Sequence, residues 1–233
     1  MGTHLPWDRS RGDDNLDTNT KHRQLNTYAN IYMKALIIAD IQYDFLPDGA
    51  LGVPNGDKII PLVNHIQKKF PLVVATQDWH PPRHRSFASA HRGKNVMDTI
   101  MLGEIEQILW PDHCVQGTKG AAISDELSLH NVAAIFRKGM SPEIDSYSAF
   151  YDNEHIKSTG LSDYLKGKGV EEVYVSGLAG DFCVAYTALD ALKEGFDTYL
   201  IEDATSPIDA AGFEKMKNLI RKRGGKVITA AEI

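Results

Sequence analysis

Residues 173–195, VYVSGLAGDFCVAYTALDALKEG, are the stretch on which the reading of the chain turns. Val173-Tyr174-Val175 is a short β-branched and aromatic run of the kind that forms a buried strand. Gly177, Leu178, Ala179 and Gly180 follow with little side-chain bulk. Val184, Ala188, Ala191 and Leu192 then recur at helical spacing, and Gly195 is placed to end the helix. A strand, a glycine-rich turn and a helix make the repeating unit of an α/β protein. Asp181 stands where an N-cap belongs, which puts Cys183 in the first helical turn. Unpaired N–H groups and the positive end of the helix dipole favour a thiolate there, and could also hold an oxyanion. Free cysteine is equally at home as a small buried apolar residue. The segment alone leaves both readings open.

Working outward, the same unit recurs. Upstream, Ala35–Ala39 is a continuous apolar strand ending at Asp40, and Leu72–Thr76 is another, ending in Gln77-Asp78-Trp79-His80. Between them a helical pattern starts at Asp57 and runs through Ile66, with Pro61 early enough to be tolerated. A third strand, Val132–Phe136, leads into Arg137-Lys138-Gly139, and a helix is expected near Leu161–Lys168. Downstream come a strand at Thr198–Ile201, a helix over Asp209–Lys222 and a short strand at Lys226–Thr229. This alternation predicts a three-layer α/β fold: a mostly parallel six-stranded sheet with helices on both faces. Residues 81–130 form a long excursion with short helical pieces expected near Met101–Ile108. A connection of that length is usually functional.

Two hundred and thirty-three residues suit one sizeable core, so residues 33–233 are expected to form a single domain. Residues 1–32 are polar and poor in aliphatics. They read as a disordered extension, an added leader or a loosely docked arm, with neither signal-peptide nor transit-peptide character. A formal charge of −6 argues against nucleic-acid binding, and no apolar run is long enough to span a bilayer. Two cysteines far apart suggest no disulfide framework and point to a reducing, cytoplasmic setting.

In a parallel sheet, ligands bind beyond the carboxyl ends of the strands. Asp40, Asp78, Lys138 and Cys183 each lie at or just past that end of a different strand, so one crevice can hold all four. Cys183, Asp40 and Lys138 suit a nucleophile, a general base and a cation, although a plain Asp–Lys ion pair packing the strand ends fits the spacing as well. Asp78-x-His80 presents two metal-competent groups on one side of an extended segment, and His84 and His113 offer two more imidazoles. A carboxylate with two histidines suits zinc, iron or manganese. Cys114 is the rival nucleophile, but Val115-Gln116-Gly117-Thr118 reads as a turn rather than a helix start, which favours a structural role. Phe45 and Trp110 flank the expected crevice and could sandwich a flat ring.

Seven motifs in order then carry a resemblance: DIQYDF from Asp40, GALGVPNGD from Gly49, TQDWHPPRHRSFAS from Thr76, WPDHCVQGT from Trp110, RKG from Arg137, DSYSAF from Asp145 and SGLAGDFCV from Ser176. From about residue 34 to 233 the chain resembles the nicotinamidases (pyrazinamidases), within the cysteine hydrolase superfamily that also holds the isochorismatases. The resemblance implies a triad of Asp40, Lys138 and Cys183, and one divalent ion, zinc first among the choices, at Asp78, His80 and His113. Some relatives take another ligand from the stretch after the D-x-H, at varying spacing, which leaves His84 open as a ligand, a group behind the ligands or neither. It implies a cis peptide at Leu178–Ala179 and an oxyanion hole from the N–H groups of Ala179 and Cys183. Phe45, Trp110, Leu178 and Tyr147 are expected around the substrate. The implied activity is hydrolysis of nicotinamide to nicotinate and ammonia in NAD salvage, with pyrazinamide as a second substrate and a homo-oligomer compatible with the pattern. Another small-substrate hydrolase of the isochorismatase type, or a non-catalytic binding protein on the same fold, is the alternative.

Overall fold

The computed structural model describes residues 33–233. The expectation for residues 1–32 lies outside the described residues. Strand β1 is Met33–Ala39, helix α1 is Ile60–Ile66 and β2 is Leu72–Asp78. A hairpin follows, β3 (Thr99–Leu102) and β4 (Ile105–Ile108), then β5 (Val132–Lys138), α2 (Leu161–Gly167), β6 (Val170–Leu178) and α3 (Ala185–Lys193). Strand β7 (Asp197–Ser206), α4 (Ala210–Lys222) and β8 (Lys226–Ile228) complete the order.

Six strands form one sheet in the order β5-β2-β1-β6-β7-β8, every neighbouring pair parallel. The alternation of side chains along a strand sorts its apolar residues between two layers. Leu36 and Ile38 of β1 and Val73 and Ala75 of β2 face α1, joining Ile60, Val63 and Ile66. Ala35, Ile37 and Ala39 face the other way, into a core with Leu161 and Leu165 of α2, Ala188 and Ala191 of α3, and Phe213 and Ile220 of α4. Strands buried on both faces explain the unbroken apolar runs of the sequence.

Three local expectations need correction. Residues 101–108 are strand, not helix: Met101 pairs with Glu106 and Leu102 with Ile105 around a two-residue turn. Gly103, at φ 63°, supplies the positive dihedral that such a turn demands. Helix α1 begins at Ile60 rather than Asp57, with Pro61 in its first turn. Asp181 does not cap the helix after β6. Residues Gly180–Val184 wind as a wide π-type turn with Ala179 at its start, and the Asp181 carboxylate instead accepts the backbone N–H groups of Ile208 and Asp209 at 2.9 Å each.

Candidate active site

Four adjacent strands of the sheet, β5, β2, β1 and β6, deliver the site. Asp78 ends β2 and Lys138 ends β5, and the two are paired residues in the ladder between those strands. Asp40 follows β1 directly, in the left-handed region at φ 46°. An aspartate tolerates that region better than most residues, and such outliers gather at functional positions. Cys183 sits in the turn after β6, beyond a cis Leu178–Ala179 peptide bond. Gly177, at φ 115°, lets β6 pass against β1, since a Cβ there would lie 2.1 Å from the Ala39 carbonyl oxygen.

Lys138 is the hub. Its Nζ lies 2.7 Å from Asp78 Oδ1, 2.9 Å from Asp40 Oδ2 and 3.4 Å from Cys183 Sγ, and it donates to the Ser146 carbonyl at 2.9 Å. Burial pulls the ammonium pKa down, but Asp40, Asp78 and Cys183 more than offset it and hold it well above the ordinary lysine value. Burial pushes Asp78 up, while Lys138 and then His80 overcome this and hold it well below the carboxylate range. Asp40 is raised, by burial first; Lys138 opposes this and Asp78 adds to it. Thr76 donates its hydroxyl to Asp40 Oδ1 at 2.6 Å. Asp40 Oδ2 meets Lys138 as an ion pair rather than an aligned hydrogen bond, and among the described residues it accepts none. That oxygen is the open acceptor of the site.

The thiol departs from the expectation. The helix dipole does not leave Cys183 a resting thiolate; burial pushes its pKa well above the ordinary thiol value, Lys138 opposes this, and Asp40 and Asp78 reinforce it. A neutral thiol beside an open carboxylate oxygen needs a base, and Asp40 is in place to be it. The Ala179 carbonyl accepts the N–H groups of Phe182 and Val184, the residues flanking Cys183. Cys114 is fully buried in the core beneath, and its N–H is donated to Asp44 Oδ2 at 2.7 Å. Burial and the surrounding carboxylates push its thiol well above the ordinary value too.

Asp78, His80 and His113 bring one ligand atom each within 4.8 Å of one another. Their tautomers follow from their partners. His80 Nδ1 lies 2.9 Å from the Gly139 carbonyl and His113 Nδ1 lies 2.8 Å from the Pro111 carbonyl. A carbonyl only accepts, so in the neutral ring each Nδ1 carries the hydrogen and each Nε2 offers a lone pair. Those two nitrogens lie 3.2 Å and 3.6 Å from Asp78 Oδ2, and His80 Nε2 is buried without a hydrogen-bond partner. Two imidazoles and a carboxylate converging on one point fit a divalent ion such as zinc. His84 does not belong to this trio. The Ser86 N–H donates to its Nδ1, so its hydrogen is on Nε2, and the ring leans on His80 at 4.5 Å between centroids. Burial, then His80, lowers its pKa and keeps it neutral.

A small cleft opens beside these groups, lined by Phe45, Trp110, Tyr147, Ala179 and Cys183, with Asp78 and His113 facing it. Its walls are mainly apolar and aromatic, with the polar groups gathered at one end. Leu178 does not line it; its side chain is fully buried in the core on the α1 side of the sheet, and only its backbone belongs to the turn. Sequence reasoning missed three wall residues, Leu51, Phe182 and Ile208, and the buried carboxylate of Asp145. Phe182 was adjacent to the nucleophile but reads as ordinary helix core; in space it stands edge-on to Trp110 at 4.9 Å.

The isochorismatase domain family model matches residues 34–232, nearly the whole of the described chain. The chain belongs to the isochorismatase family. Within that family, it is 50% identical over 178 residues to the nicotinamidase of Acinetobacter baylyi, covering 76% of this chain and 83% of that relative. Its fold superposes on the nicotinamidase/pyrazinamidase of Acinetobacter baumanii with a TM-score of 0.84 and 46% identity, covering 85% of this chain and 97% of that one. The Pyrococcus horikoshii pyrazinamidase, solved in complex with zinc, matches this isochorismatase-family chain at 40% identity and a TM-score of 0.70, covering 84% and 98% of the two chains.

Proposed function

We propose that this chain is a metal-dependent nicotinamidase, hydrolysing nicotinamide to nicotinate and ammonia, with pyrazinamide as a second substrate. The observation that carries the reading is the Lys138 ammonium, held within 3.4 Å of Asp40, Asp78 and Cys183 at once, beside three converging metal ligands. The small aromatic cleft and the nicotinamidases among the relatives support the substrate.

In this reading the Cys183 thiol passes its proton to Asp40 as Sγ attacks the amide carbonyl carbon. The oxyanion so formed is met by the N–H groups of Ala179 and Cys183. Collapse breaks the C–N bond, Asp40 returns the proton to the nitrogen, and ammonia leaves a Cys183 thioester. Water, deprotonated by Asp40, attacks that thioester; nicotinate leaves and the thiol is restored. Lys138 keeps Asp40 ionised and offsets the negative charge that builds at Sγ. Phe45, Trp110 and Phe182 hold the ring. An ion at Asp78, His80 and His113, zinc by the donor set, supplies Lewis acidity towards a ring nitrogen and bound water. NAD salvage is the corresponding role, and two free buried cysteines suit a reducing cytoplasm. Among the described residues no helix is long and apolar enough to cross a membrane.

The test is ammonia release from nicotinamide by the zinc-loaded protein. Benzamide, which has the amide but no ring nitrogen, should be a much poorer substrate than pyrazinamide. Cys183→Ala should fold, bind zinc and show no turnover, while Cys114→Ala keeps most of the activity of the fraction that folds. No ammonia from nicotinamide or pyrazinamide would sink the reading, and turnover by Cys183→Ala would sink the nucleophile.

A further inference from the structure

We propose that Asp145 is a positioning residue of the metal centre, its carboxylate accepting a hydrogen bond from water carried by an ion held at Asp78, His80 and His113. The inference rests on the metal-dependent reading above and adds a group that the triad and the three ligands leave out.

Asp145 is 2% exposed and sits at the edge of the catalytic cleft. A carboxylate this deep needs a counter-charge or a full set of donors. It has neither. Oδ1 accepts the Ser146 N–H at 2.7 Å and Oδ2 accepts Gln107 Nε2 at 3.3 Å, both neutral donors. Among the described residues its only basic partner within 4.0 Å is His80, whose Nε2 lies 3.9 Å from Oδ1, too far for a hydrogen bond. That same Nε2 is the orphaned lone pair of the metal trio. A cation bound by His80 therefore sits next to a carboxylate that lacks one.

Charge points the same way. Asp40 and Asp78 ionised, Lys138 protonated and a divalent cation together leave one net positive charge in a buried site. Asp145 cancels it, and a neutral buried cluster is far cheaper than a charged one.

The geometry separates this role from direct ligation. Asp145 groups with His80 and His84, each offering an atom within 4.8 Å of the others, whereas the Asp78–His80–His113 set does not include it. Displacement of that kind leaves room for a water between carboxylate and ion. His84 does not compete for the ion, because its free ring nitrogen, Nε2, carries the hydrogen and is itself buried without a partner. Asp145 and Cys183 line one cleft, so the ion's surroundings and the nucleophile share the same space.

The measurement is metal affinity, read apart from turnover. Wild type, Asp145→Asn and Asp145→Ala are stripped of metal, and zinc is titrated against a competing chelator. Cobalt(II) absorption reports the coordination of the ion. Asp145→Asn keeps an oxygen to accept the Ser146 N–H and removes only the charge, so a merely structural role predicts no change in either readout. The expected result is a 10–100-fold loss of zinc affinity in Asp145→Asn, a shifted cobalt spectrum and an unchanged circular dichroism spectrum. Asp145→Ala should lose at least as much. Wild-type affinity and spectrum in Asp145→Asn overturn the proposal. If neither variant folds, a crystal structure of the zinc-loaded wild type decides it: a zinc-bound water hydrogen-bonded to Asp145 supports it, and a direct Asp145–zinc bond or no such water overturns it. Absence of nicotinamide turnover in the zinc-loaded wild type would instead count against the function, whatever the affinities show.

Discussion

Lys138 shows how one side chain can serve both chemistry and stability. It is 3% exposed, yet its charge is met by two carboxylates and a carbonyl, so its desolvation is compensated several times over. Replacing it with methionine keeps most of the volume and removes the cation. Asp40 would then lose its counter-charge at the bottom of the site. Lys138→Met should lower stability by about 3–5 kcal/mol, the usual cost of breaking a buried pair. Turnover should fall by roughly 10²-fold or more, because a positioned charge is lost. Chemical denaturation and steady-state kinetics on the folded fraction check both. Near-normal turnover would return Lys138 to a purely structural ion pair.

At the scale of elements, the connections after the strands hold the ligands in register. Gly139, directly after β5, has φ 65°, and a Cβ there would stand 2.4 Å from His80 Cε1 and 2.7 Å from its Nδ1. Its carbonyl is also the acceptor that sets the His80 tautomer. Gly139→Ala should therefore push His80 aside and cost zinc affinity by 10-fold or more, on top of about 1–2 kcal/mol for a left-handed alanine. Zinc titration of the folded variant is the check, and unchanged affinity would show that the ring has room to move. Elsewhere, Glu194 after α3 clamps α2 and the loop before it: it accepts from Tyr151 at 2.7 Å, from Lys166 at 2.6 Å and from the Ser162 hydroxyl. The hydrogen bonds from Lys166, Ser162 and Tyr151 lower its pKa to about 2 from 4.5. A depressed carboxylate stabilises the fold above its unfolded pKa, and the contribution fades as pH falls from about 4.5 towards 2. Glu194→Gln should cost about 1 kcal/mol at neutral pH, with the partners still able to bond the amide oxygen. The difference between variant and wild type should shrink below pH 4.5. Urea melts at pH 7 and pH 3 measure it, and a pH-independent difference would remove the charge from the explanation.

For the whole molecule, the sheet and the site draw on different resources. Both cores are built mainly from apolar residues of strands and helices, and the metal ligands lie on strand ends and the long excursion. Chelation should therefore abolish nicotinamide turnover while leaving the secondary structure intact. It should lower the melting temperature modestly, because a ligand of the native state stabilises it by about 2.7 kcal/mol at a hundred times its Kd. Calorimetry with and without zinc gives the shift. Loss of the far-ultraviolet circular dichroism signal on chelation would mean that the ion holds the fold together.

The alternation of apolar strands with helical patterns was enough, by itself, to specify a parallel sheet and to place Asp40, Asp78, Lys138 and Cys183 at one edge of it, because period and strand polarity are local properties of the chain. The motif series also pointed to the three ligands and the aromatic walls. Only the folded chain decided the rest. The Met101–Ile108 segment is a hairpin because its two short runs find each other across a glycine turn, a pairing that a helical reading of one segment does not weigh. Leu178 leaves the pocket because β6 extends two residue pairs further against β7 than its apolar run shows, Gly177 opposite Thr205 and Leu178 opposite Ser206, and the side chain faces the core. Asp181 bonds to backbone some 27 residues away rather than to its own helix. The thiol of Cys183 is pushed well above its ordinary pKa because desolvation, which depends on everything packed around it, exceeds the opposing pull of Lys138. Burial, tautomer and charge balance are sums over neighbours distant in sequence, and they exist only once the sheet has brought those neighbours together.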